Sequence, residues 1–349
     1  MSGGVDSATA AAWLVDQGHE VVGLTMQLWD HGEALPASSR TCCATEDLYD
    51  ARQVAQRLDI PFYVINLEEA FRKAVVDDFL TSYAAGQTPN PCVRCNQRLK
   101  FETLLDKALS LDVNYLATGH YAIRREDDHG HPQLYRGLDR FKDQSYFLFA
   151  TTLAQLRHIA FPLGEMTKDE TRRLAKRFDL HISDKRESQD VCFVPDGDYQ
   201  AFFIREGSSA AIPGPIVDLQ GKILGEHKGL GNHTIGQRRG LGISSSHPLY
   251  VVEIRSQDNL LVVGPESALY GDSLTLKDLN WLGKQDLIAA REIQAKIRYA
   301  ADPVSAVIKP LSGVGAAHVQ FKTPQKSITP GQACVLYEND RVLGGGWIC

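Results

Sequence analysis

The first two hundred residues alternate short apolar runs with helical patterns, and this alternation constrains the fold more than any other feature. The helical patterns and strand-like runs follow one another at 8–17, 20–28, 46–58, 62–67, 68–85, 97–109 and 115–118. Apolar strands that alternate with helices form a mostly parallel sheet with helices on both faces. We therefore expect an α/β domain whose ligands bind at the carboxyl ends of its strands.

The sequence changes in character beyond residue 200. Glycine and proline become frequent, and short β-rich runs replace the long helices. The 349 residues are also too many for one hydrophobic core, which indicates two or three domains. We expect the α/β domain at 1–200, a small middle domain at 201–270 and a C-terminal β-barrel at 271–349.

The composition favours a cytoplasmic protein. We expect no secretory signal, because no basic segment is followed by an apolar one at the start, and no run is long enough to span a bilayer. The seven cysteines are an odd number scattered over a long chain, unlike the disulfide framework of a small secreted domain. In a reducing compartment, a close cysteine pair indicates chemistry or metal binding.

The charge pattern limits the kind of nucleic-acid binding to expect. A net charge of −6 argues against a general nucleic-acid binder, but local basic surfaces remain compatible with it. The candidate clusters are Arg94 with Arg98 and Lys100, the run 168–176, and Arg238 with Arg239. Asp169 and Glu170 lie within the run 168–176, so that helix is expected to present a solvated face.

A glycine-rich loop opens the chain and leads directly into a helix. Its residues are Ser2, Gly3, Gly4, Val5, Asp6 and Ser7. Glycines let the backbone approach a ligand, and a helix start offers unpaired N–H groups to a pyrophosphate. The serines add hydroxyl donors, and Asp6 would orient the loop or a Mg²⁺ ion. Taken alone, so short a motif also fits a flexible leader without a ligand.

The loop resembles the signature of the PP-loop ATP pyrophosphatases, which split ATP between its α- and β-phosphates and adenylate a carbonyl oxygen. Five later stretches, in the same order along the chain, resemble the tRNA-specific 2-thiouridylase family: 88–96, 117–121, 142–146, 234–242 and 344–348. This resemblance covers essentially the whole chain. It implies ATP with Mg²⁺, a tRNA substrate, and the wobble uridine of the anticodon loop as the target.

The resemblance also implies which residues form the binding sites. Met26 and Gly119 would line the adenosine pocket. Without the resemblance, Met26 would be read as a core residue and Gly119 as a turn residue. The residues implied at the target base are Asn90, Pro91 and Cys92. The residues implied at the rest of the tRNA are Lys142, Asp143, Gln144, Arg298 and Tyr299.

The chemistry of sulfur transfer calls for two thiols. A persulfide is a suitable sulfur carrier because its terminal sulfur ionises easily, and a second thiolate can break its S–S bond. The two cysteines must therefore be distant in sequence and close in space. The resemblance places the nucleophile on Cys95 and the persulfide carrier on Cys192. A cysteine desulfurase or a sulfur-relay protein would supply the sulfur.

The surroundings of Cys95 predict a reactive thiol. Its place just before a helix expected from Gln97, with Arg94 and Arg98 beside it, predicts a lowered thiol pKa.

The other cysteines carry less information. Cys334 and Cys349 are expected to be inert buried thiols, the usual state of a single cysteine. Cys42 and Cys43 remain open, because adjacent side chains point apart and are unsuited to act as one unit.

Cys92 leaves an alternative chemistry open. Many members of the family carry Asp at this position. This chain has Cys instead, which puts a carboxylate that acts as general acid or base at this position in doubt. The three thiolates of Cys92, Cys95 and Cys192 would suffice for a [4Fe–4S] cluster with one open iron, as in related PP-loop thiolases. A zinc site is less favoured, since no second Cys or His pair has ligand spacing.

The start of the chain raises a second alternative. In PP-loop folds an apolar strand precedes the loop, and each of its buried side chains would contribute about 1.5–3 kcal/mol. We expect upstream in-frame codons to encode a short Val/Ile-rich segment. A protein that lacks this strand would instead be an inactive RNA-binding remnant.

Overall fold

The computed structural model describes residues 1–29, 45–185, 191–194, 197–312 and 315–349. Cys42 and Cys43 therefore lie outside the described residues. The chain forms two compact units. The first consists of Met1–Val75, Cys92–Gly197 and Asp340–Val342, and the second of Val76–Pro91, Asp198–Asn339 and Leu343–Cys349.

The helices of the described residues are mostly short. They are α1 Val5–Asp16, α2 Thr45–Arg57, α3 Glu68–Phe71, α4 Asp77–Ala84, α5 Pro91–Arg94, α6 Leu105–Leu109, α7 Leu153–Leu156, α8 Lys168–Arg177 and α9 Tyr199–Arg205. Two π-helical stretches continue them: Arg72–Val76 joins α3 to α4, and Cys95–Leu104 joins α5 to α6. The helix expected from Gln97 thus begins at Pro91, and proline is favoured at a first helical position.

The strands fall into two groups along the chain. Those before residue 200 are β1 Gly23–Gln27, β2 Phe62–Asn66, β3 Leu116–Ala117, β4 Ala122–Glu126, β5 Pro132–Arg136 and β6 Ile159–Ala160. Those after it are β7 Gly214–Val217, β8 Ile223–His227, β9 Tyr250–Arg255, β10 Leu260–Gly264, β11 Tyr270–Trp281, β12 Arg291–Lys296, β13 Val304–Pro310, β14 Ala317–Lys326, β15 Ala333–Glu338 and β16 Arg341–Ile348.

The first unit contains the predicted parallel strands. β1 pairs with β2 in parallel, and β3 pairs with β6 in the same way. Helix α1 packs against α8, and its alanine-rich face is buried, so that Val5, Ala8 and Ala12 form one apolar cluster with Val54 and Ala175. The α/β character expected for the N-terminal part is confirmed.

The second unit contains two β structures. A four-stranded sheet has the order β8-β7-β10-β9. Six further strands follow in the order β11-β14-β13-β12-β15-β16, and pairing of β11 with β16 closes them into a barrel. Alternate inward residues such as Leu276, Ile308, Val319 and Leu336 fill the barrel interior. This closed barrel confirms the C-terminal β-barrel.

The hairpin of β4 and β5 was not expected from the sequence. Its strands are antiparallel and carry charged residues such as Arg124 and Arg125, so they lack an apolar strand pattern. Within the first unit, β5 pairs with Arg341 and Val342 at the start of β16.

Candidate active site

The glycine-rich loop presents an uncapped helix start. Gly4 precedes α1 in an extended conformation, with φ of −97°, and this N-cap residue has no side chain to cap the first N–H groups of the helix. The Ser2 N–H donates to Ser7 Oγ over 3.0 Å, and Ser7 Oγ donates to the Gly4 carbonyl over 3.2 Å. The loop therefore folds over its own helix and leaves the positive end of the dipole to an anion.

Two glycines in and beside the loop are required by close backbone approaches. Gly3 has φ of +68°, and a Cβ there would lie 2.3 Å from the Asp47 carbonyl oxygen. A Cβ on Gly119 would lie 2.7 Å from both the Asp6 carbonyl carbon and the Ser7 nitrogen. The structure therefore brings Gly119, predicted for the adenosine pocket, directly against the loop.

Asp6 is held by side chains from the rest of the unit. Lys168 Nζ contacts both of its carboxylate oxygens, at 2.7 and 2.9 Å, and the Tyr121 hydroxyl donates to Oδ1 over 2.9 Å. The Tyr121 hydroxyl also contacts Thr171 Oγ1 at 3.0 Å. Lys168 is buried at the first turn of α8, so the solvated face expected for the run 168–176 does not include it. The arrangement orients the loop through Asp6, one of the two roles expected for this residue.

Met26 lies at the carboxyl end of β1, and ligands of α/β domains bind at the carboxyl ends of the strands. It is half-buried and pairs in register with Ile65 of β2. The next residue, Gln27, donates from Nε2 to Glu68 Oε1 over 2.6 Å and so joins the end of β1 to α3.

Cys95 is the first residue of the π-helical stretch Cys95–Leu104 and is partly exposed. Such wide helical turns are uncommon and occur frequently at functional sites. Because the helix begins at Pro91, Cys95 lies more than one turn inside it. The positive end of the helix dipole therefore lies closer to Cys92, which is exposed, than to Cys95.

The polar neighbours of Cys95 are largely engaged with one another. Arg94 Nη1 donates to Gln97 Oε1 over 3.2 Å, and Arg98 forms an exposed pair with Glu102 at 3.1 Å. Asn96 is buried and donates from Nδ2 to the Phe147 carbonyl over 3.1 Å. The arginines beside Cys95 thus contact side chains of their own helix.

An aromatic cluster holds the segment that carries Cys192. Phe193 is buried, with its ring centroid 5.8 Å from that of Phe71 and 6.3 Å from that of Trp29. Phe71 belongs to α3, and α3 packs against the π-helical stretch that begins at Cys95. Cys192 is itself partly exposed. The same helix therefore contacts the residue next to Cys192 and the element that carries Cys95.

The remaining cysteine predictions have mixed outcomes. Cys334 is buried in the barrel, and burial raises the pKa of its thiol to about 12, as expected for an inert cysteine. Cys349 is exposed, so the expectation that it is buried was wrong. Among the described residues, no three His, Cys, Asp or Glu side chains are placed to hold one metal ion. Cys92, Cys95 and Cys192 all belong to the described part of the chain, so the geometry lends the cluster no support.

The segment predicted to contact tRNA is mostly anchored to the protein. Asp143 is buried and accepts hydrogen bonds from Arg136 Nε, Gly137 N and Ser145 N, at 2.9, 3.0 and 3.1 Å. Gln144 exchanges two hydrogen bonds with the backbone of Tyr121. Lys142 is half-buried. Asp143 and Gln144 fix the shape of this loop.

The other predicted tRNA residues lie in the second unit or at its edge. Arg298 Nη2 donates to the Ile235 and Ser327 carbonyls over 3.3 and 2.8 Å, and Tyr299 is 40% exposed. Asn90 is half-buried, and Pro91 is buried. In this structure, Arg298 links the barrel to the segment 234–242, a contact that the sequence did not indicate.

Three family models match the chain in consecutive segments. The model described as tRNA methyl transferase HUP domain matches residues 1–196. The tRNA methyl transferase PRC-barrel domain matches 201–265, and the aminomethyltransferase beta-barrel domain matches 271–348.

Relatives match over the full length of this chain. The tRNA-specific 2-thiouridylase MnmA of Magnetococcus marinus is 62% identical over 348 residues, which cover 100% of this chain and 97% of that protein. The proteins of the same name from Geobacter metallireducens and Rickettsia massiliae are each 50% identical and cover 100% of this chain and 95% of their own length. Within the described residues, no helix combines the length and apolarity needed to cross a membrane.

Proposed function

Because the chain belongs to the tRNA-specific 2-thiouridylase family, we propose that it is a tRNA sulfurtransferase that replaces O2 of the wobble uridine with sulfur. The reaction consumes ATP, passes through an adenylated uridine and draws its sulfur from a cysteine persulfide. The partners are the anticodon loop of tRNA and a cysteine desulfurase or sulfur-relay protein that supplies the persulfide.

The glycine-rich loop serves the activation step. The uncapped N-terminus of α1 binds the phosphates of ATP, while Gly119, packed directly against the loop, borders the nucleoside pocket. The uridine O2 attacks the α-phosphorus, pyrophosphate leaves, and the carbonyl oxygen becomes a good leaving group. Lys168 and Tyr121 fix Asp6, so the loop is already shaped before ATP arrives.

A Mg²⁺ ion that accompanies ATP would be held mainly by phosphate oxygens and water, because the described residues around this loop offer it few ligands. Both oxygens of Asp6 contact Lys168 Nζ, and the described residues offer no group of three side chains suited to a metal ion. We therefore assign no step to a protein-bound Mg²⁺ ion.

Cys192 and Cys95 serve the sulfur-transfer step. The terminal sulfur of a Cys192 persulfide attacks C2 of the adenylated uridine, and AMP leaves with the former carbonyl oxygen. The Cys95 thiolate then attacks the inner sulfur of Cys192 and breaks the persulfide S–S bond. The products are a 2-thiouridine and a disulfide between the two cysteines, and an external thiol reductant restores both thiols.

One observation carries this proposal. Helix α3 packs against the element that begins at Cys95, and its Phe71 contacts Phe193, which directly follows Cys192. Two partly exposed cysteines, 97 positions apart in the sequence (192 minus 95), thus share a neighbour in the unit that contains the phosphate loop. The intact contacts of Asp6 favour an active enzyme over a remnant that only binds RNA.

The test compares Cys95→Ala and Cys192→Ala with a Cys349→Ala control, which removes an exposed thiol outside the site. With tRNA, ATP and a persulfide donor, each site variant should form at least about 1000-fold less 2-thiouridine, since the persulfide or its S–S cleavage is lost. Both should retain tRNA-dependent ATP–pyrophosphate exchange, and the control should behave like the wild type. Full thiolation by either site variant would refute the paired-cysteine mechanism.

A Cys92→Ser variant separates the persulfide from the cluster chemistry. It should keep most of its activity under the proposed mechanism. Loss of activity, together with several irons per chain in anaerobically purified wild-type protein, would instead support the cluster.

A further inference from the structure

A tight turn exposes one phenylalanine almost completely. We call residues 139–142 the Phe141 turn. The Lys142 N–H donates to the Asp139 carbonyl over 3.1 Å, and the Phe141 N–H donates to Asp139 Oδ1 over 3.1 Å. Phe141 is 94% exposed, more than any other large hydrophobic side chain of the described residues. These hydrogen bonds give the turn one defined shape and direct the ring away from the protein.

The Phe141 turn is anchored to the phosphate loop. Asp139 Oδ2 accepts a hydrogen bond from the Lys168 N–H over 3.0 Å, and the Lys168 side chain contacts Asp6. On the other side of the turn, Gln144 is bonded to Tyr121, whose hydroxyl also contacts Asp6. Both ends of the turn are therefore attached to the residues that hold the candidate ATP loop.

Single exposed hydrophobic residues are common and usually need no explanation. Three features set Phe141 apart. Turn positions favour glycine, asparagine or aspartate, the ring contributes almost no burial to the folded state, and cationic Arg140 and Lys142 flank it. Arg140 reaches Asp340 at 2.6 Å, yet both of those side chains remain about half exposed. An exposed ring on an anchored turn, between two cations, is suited to a ligand that combines a flat surface with negative charge.

Resting on the proposed function, we infer that Phe141 stacks on an unpaired nucleobase of the tRNA substrate, beside phosphates that Arg140 and Lys142 contact. Bases in single-stranded loops are read by stacking on aromatic rings, and every base offers such a face. A protein partner is a poorer fit, because protein interfaces centre on packed apolar clusters. In the segment 137–144, only Leu138 adds a second exposed apolar side chain.

The test measures the Kd of fluorescently labelled, unthiolated tRNA by anisotropy for Phe141→Ala, Phe141→Leu and Phe141→Trp. Loss of one stacked base should raise the Kd about 5- to 100-fold for the alanine variant. Leucine should behave like alanine because it lacks a ring face, whereas tryptophan should bind like the wild type and show fluorescence quenched by the base. Ile288→Ala removes a side chain that is 87% exposed in the second unit and should not change the Kd.

A second measurement locates the base. Single abasic nucleotides are placed in turn through the anticodon loop, and each RNA is bound to the wild type and to Phe141→Ala. At the stacked position, the abasic RNA should weaken binding to the wild type by the same factor as the alanine substitution. It should not weaken binding to the alanine variant further.

Several outcomes would overturn the inference. Unchanged tRNA affinity in Phe141→Ala would do so, and wild-type affinity in Phe141→Leu would show that apolar burial suffices. Unchanged tRNA affinity with slower sulfur uptake from the donor protein would assign the ring to that partner. If the wild type thiolates tRNA, any of these results removes only the stacking role. If it thiolates no tRNA, the proposed function itself fails.

Discussion

The phosphate loop and the Cys192 segment belong to the same compact unit, yet different forces hold them. The loop is fixed by directional polar contacts, since Lys168 and Tyr121 both meet the carboxylate of Asp6. The Cys192 segment is fixed by ring contacts of Phe193 with Phe71 and Trp29. Ion pairs and hydrogen bonds define one geometry, whereas apolar contacts are non-directional and tolerate small rearrangements.

The difference matches the two chemical tasks proposed for these regions. Activation of the uridine requires donors already in place around a developing charge, and preorganised polar groups provide this. In the proposed mechanism, Cys192 must meet a donor protein, the uridine and Cys95 in succession. A thiol attached to an apolar anchor is better suited to successive encounters than one fixed by hydrogen bonds.

The largest effect should come from removing a polar contact that holds the phosphate loop. Asp6→Asn removes the charge that faces the buried Lys168 ammonium and should lower ATP–pyrophosphate exchange roughly 100-fold. Loss of one partner of a fully buried ion pair costs about 3–5 kcal/mol. The Asp6 side chain is 30% exposed, so we expect a smaller loss in the free energy of unfolding, on the order of 2 kcal/mol. Urea unfolding measures this loss.

Two further variants serve as controls for that experiment. Lys168→Met in the Asp6→Asn background should recover part of the lost stability, because the buried charge is then removed as well. Arg57→Met breaks an ion pair with Asp179 whose side chains are 54% and 81% exposed, and it should cost less than about 1 kcal/mol. If Asp6→Asn and Arg57→Met lowered the free energy of unfolding by equal amounts, the special role of the Asp6 contacts would be contradicted.

A smaller effect should come from removing an apolar contact that holds the Cys192 segment. Phe193→Ala removes the ring beside Cys192 and should slow 2-thiouridine formation about 10-fold, because the persulfide is positioned less well. ATP–pyrophosphate exchange should stay within about 2-fold of the wild type, since no polar contact of the loop changes. Phe193→Leu keeps most of the buried volume and should recover most of the rate. A parallel loss of exchange and thiolation would instead indicate general unfolding of the unit.

The smallest effect concerns the pH dependence of stability near the loop. Burial, and then the charge of Lys100, hold the pKa of His120 well below its ordinary value of 6.5. The folded state therefore binds fewer protons than the unfolded state, and the free energy of unfolding should fall as the pH drops below about 6.5. This loss should approach roughly 1.4 kcal/mol per pH unit for one such group.

Chemical unfolding at pH 7 and at pH 5 checks this prediction. His120→Gln should lose less stability on acidification than the wild type. The loss for Lys100→Gln should be intermediate between those two losses. An identical pH dependence in His120→Gln and the wild type would show that other groups cause the acid sensitivity.

The sequence predicted what local patterns determine. Strand–helix alternation indicated the α/β unit, and the apolar strands of the C-terminal part indicated the barrel. Where a local signal was misread, the error was also local: the helix that carries Cys95 was expected from Gln97, although Pro91 marks its start. The charged hairpin of β4 and β5 carried no apolar periodicity and was therefore missed.

The contacts that shape the site could not be read from the sequence. Lys168 and Asp6 are 162 residues apart, and nothing in the run 168–176 singles out Lys168 as its one buried charged residue. Asp143 likewise lies in a segment that resembles an RNA contact, yet its burial depends on Arg136 and on backbone N–H groups of the folded loop. The roles of Cys95 and Cys192 came from the family resemblance and remain proposals.

The wide helical turns that begin at Cys95 have a consequence for the way this family can change. A π-helix accommodates one more residue per hydrogen-bonded ring than an α-helix does. Removing one residue from 96–104 would force these wide turns back toward α-helical bonding and would change the direction of the sulfur relative to the residues that follow. The direction of this thiol thus depends on residue count, and evolution can substitute side chains in this helix more readily than it can shorten it.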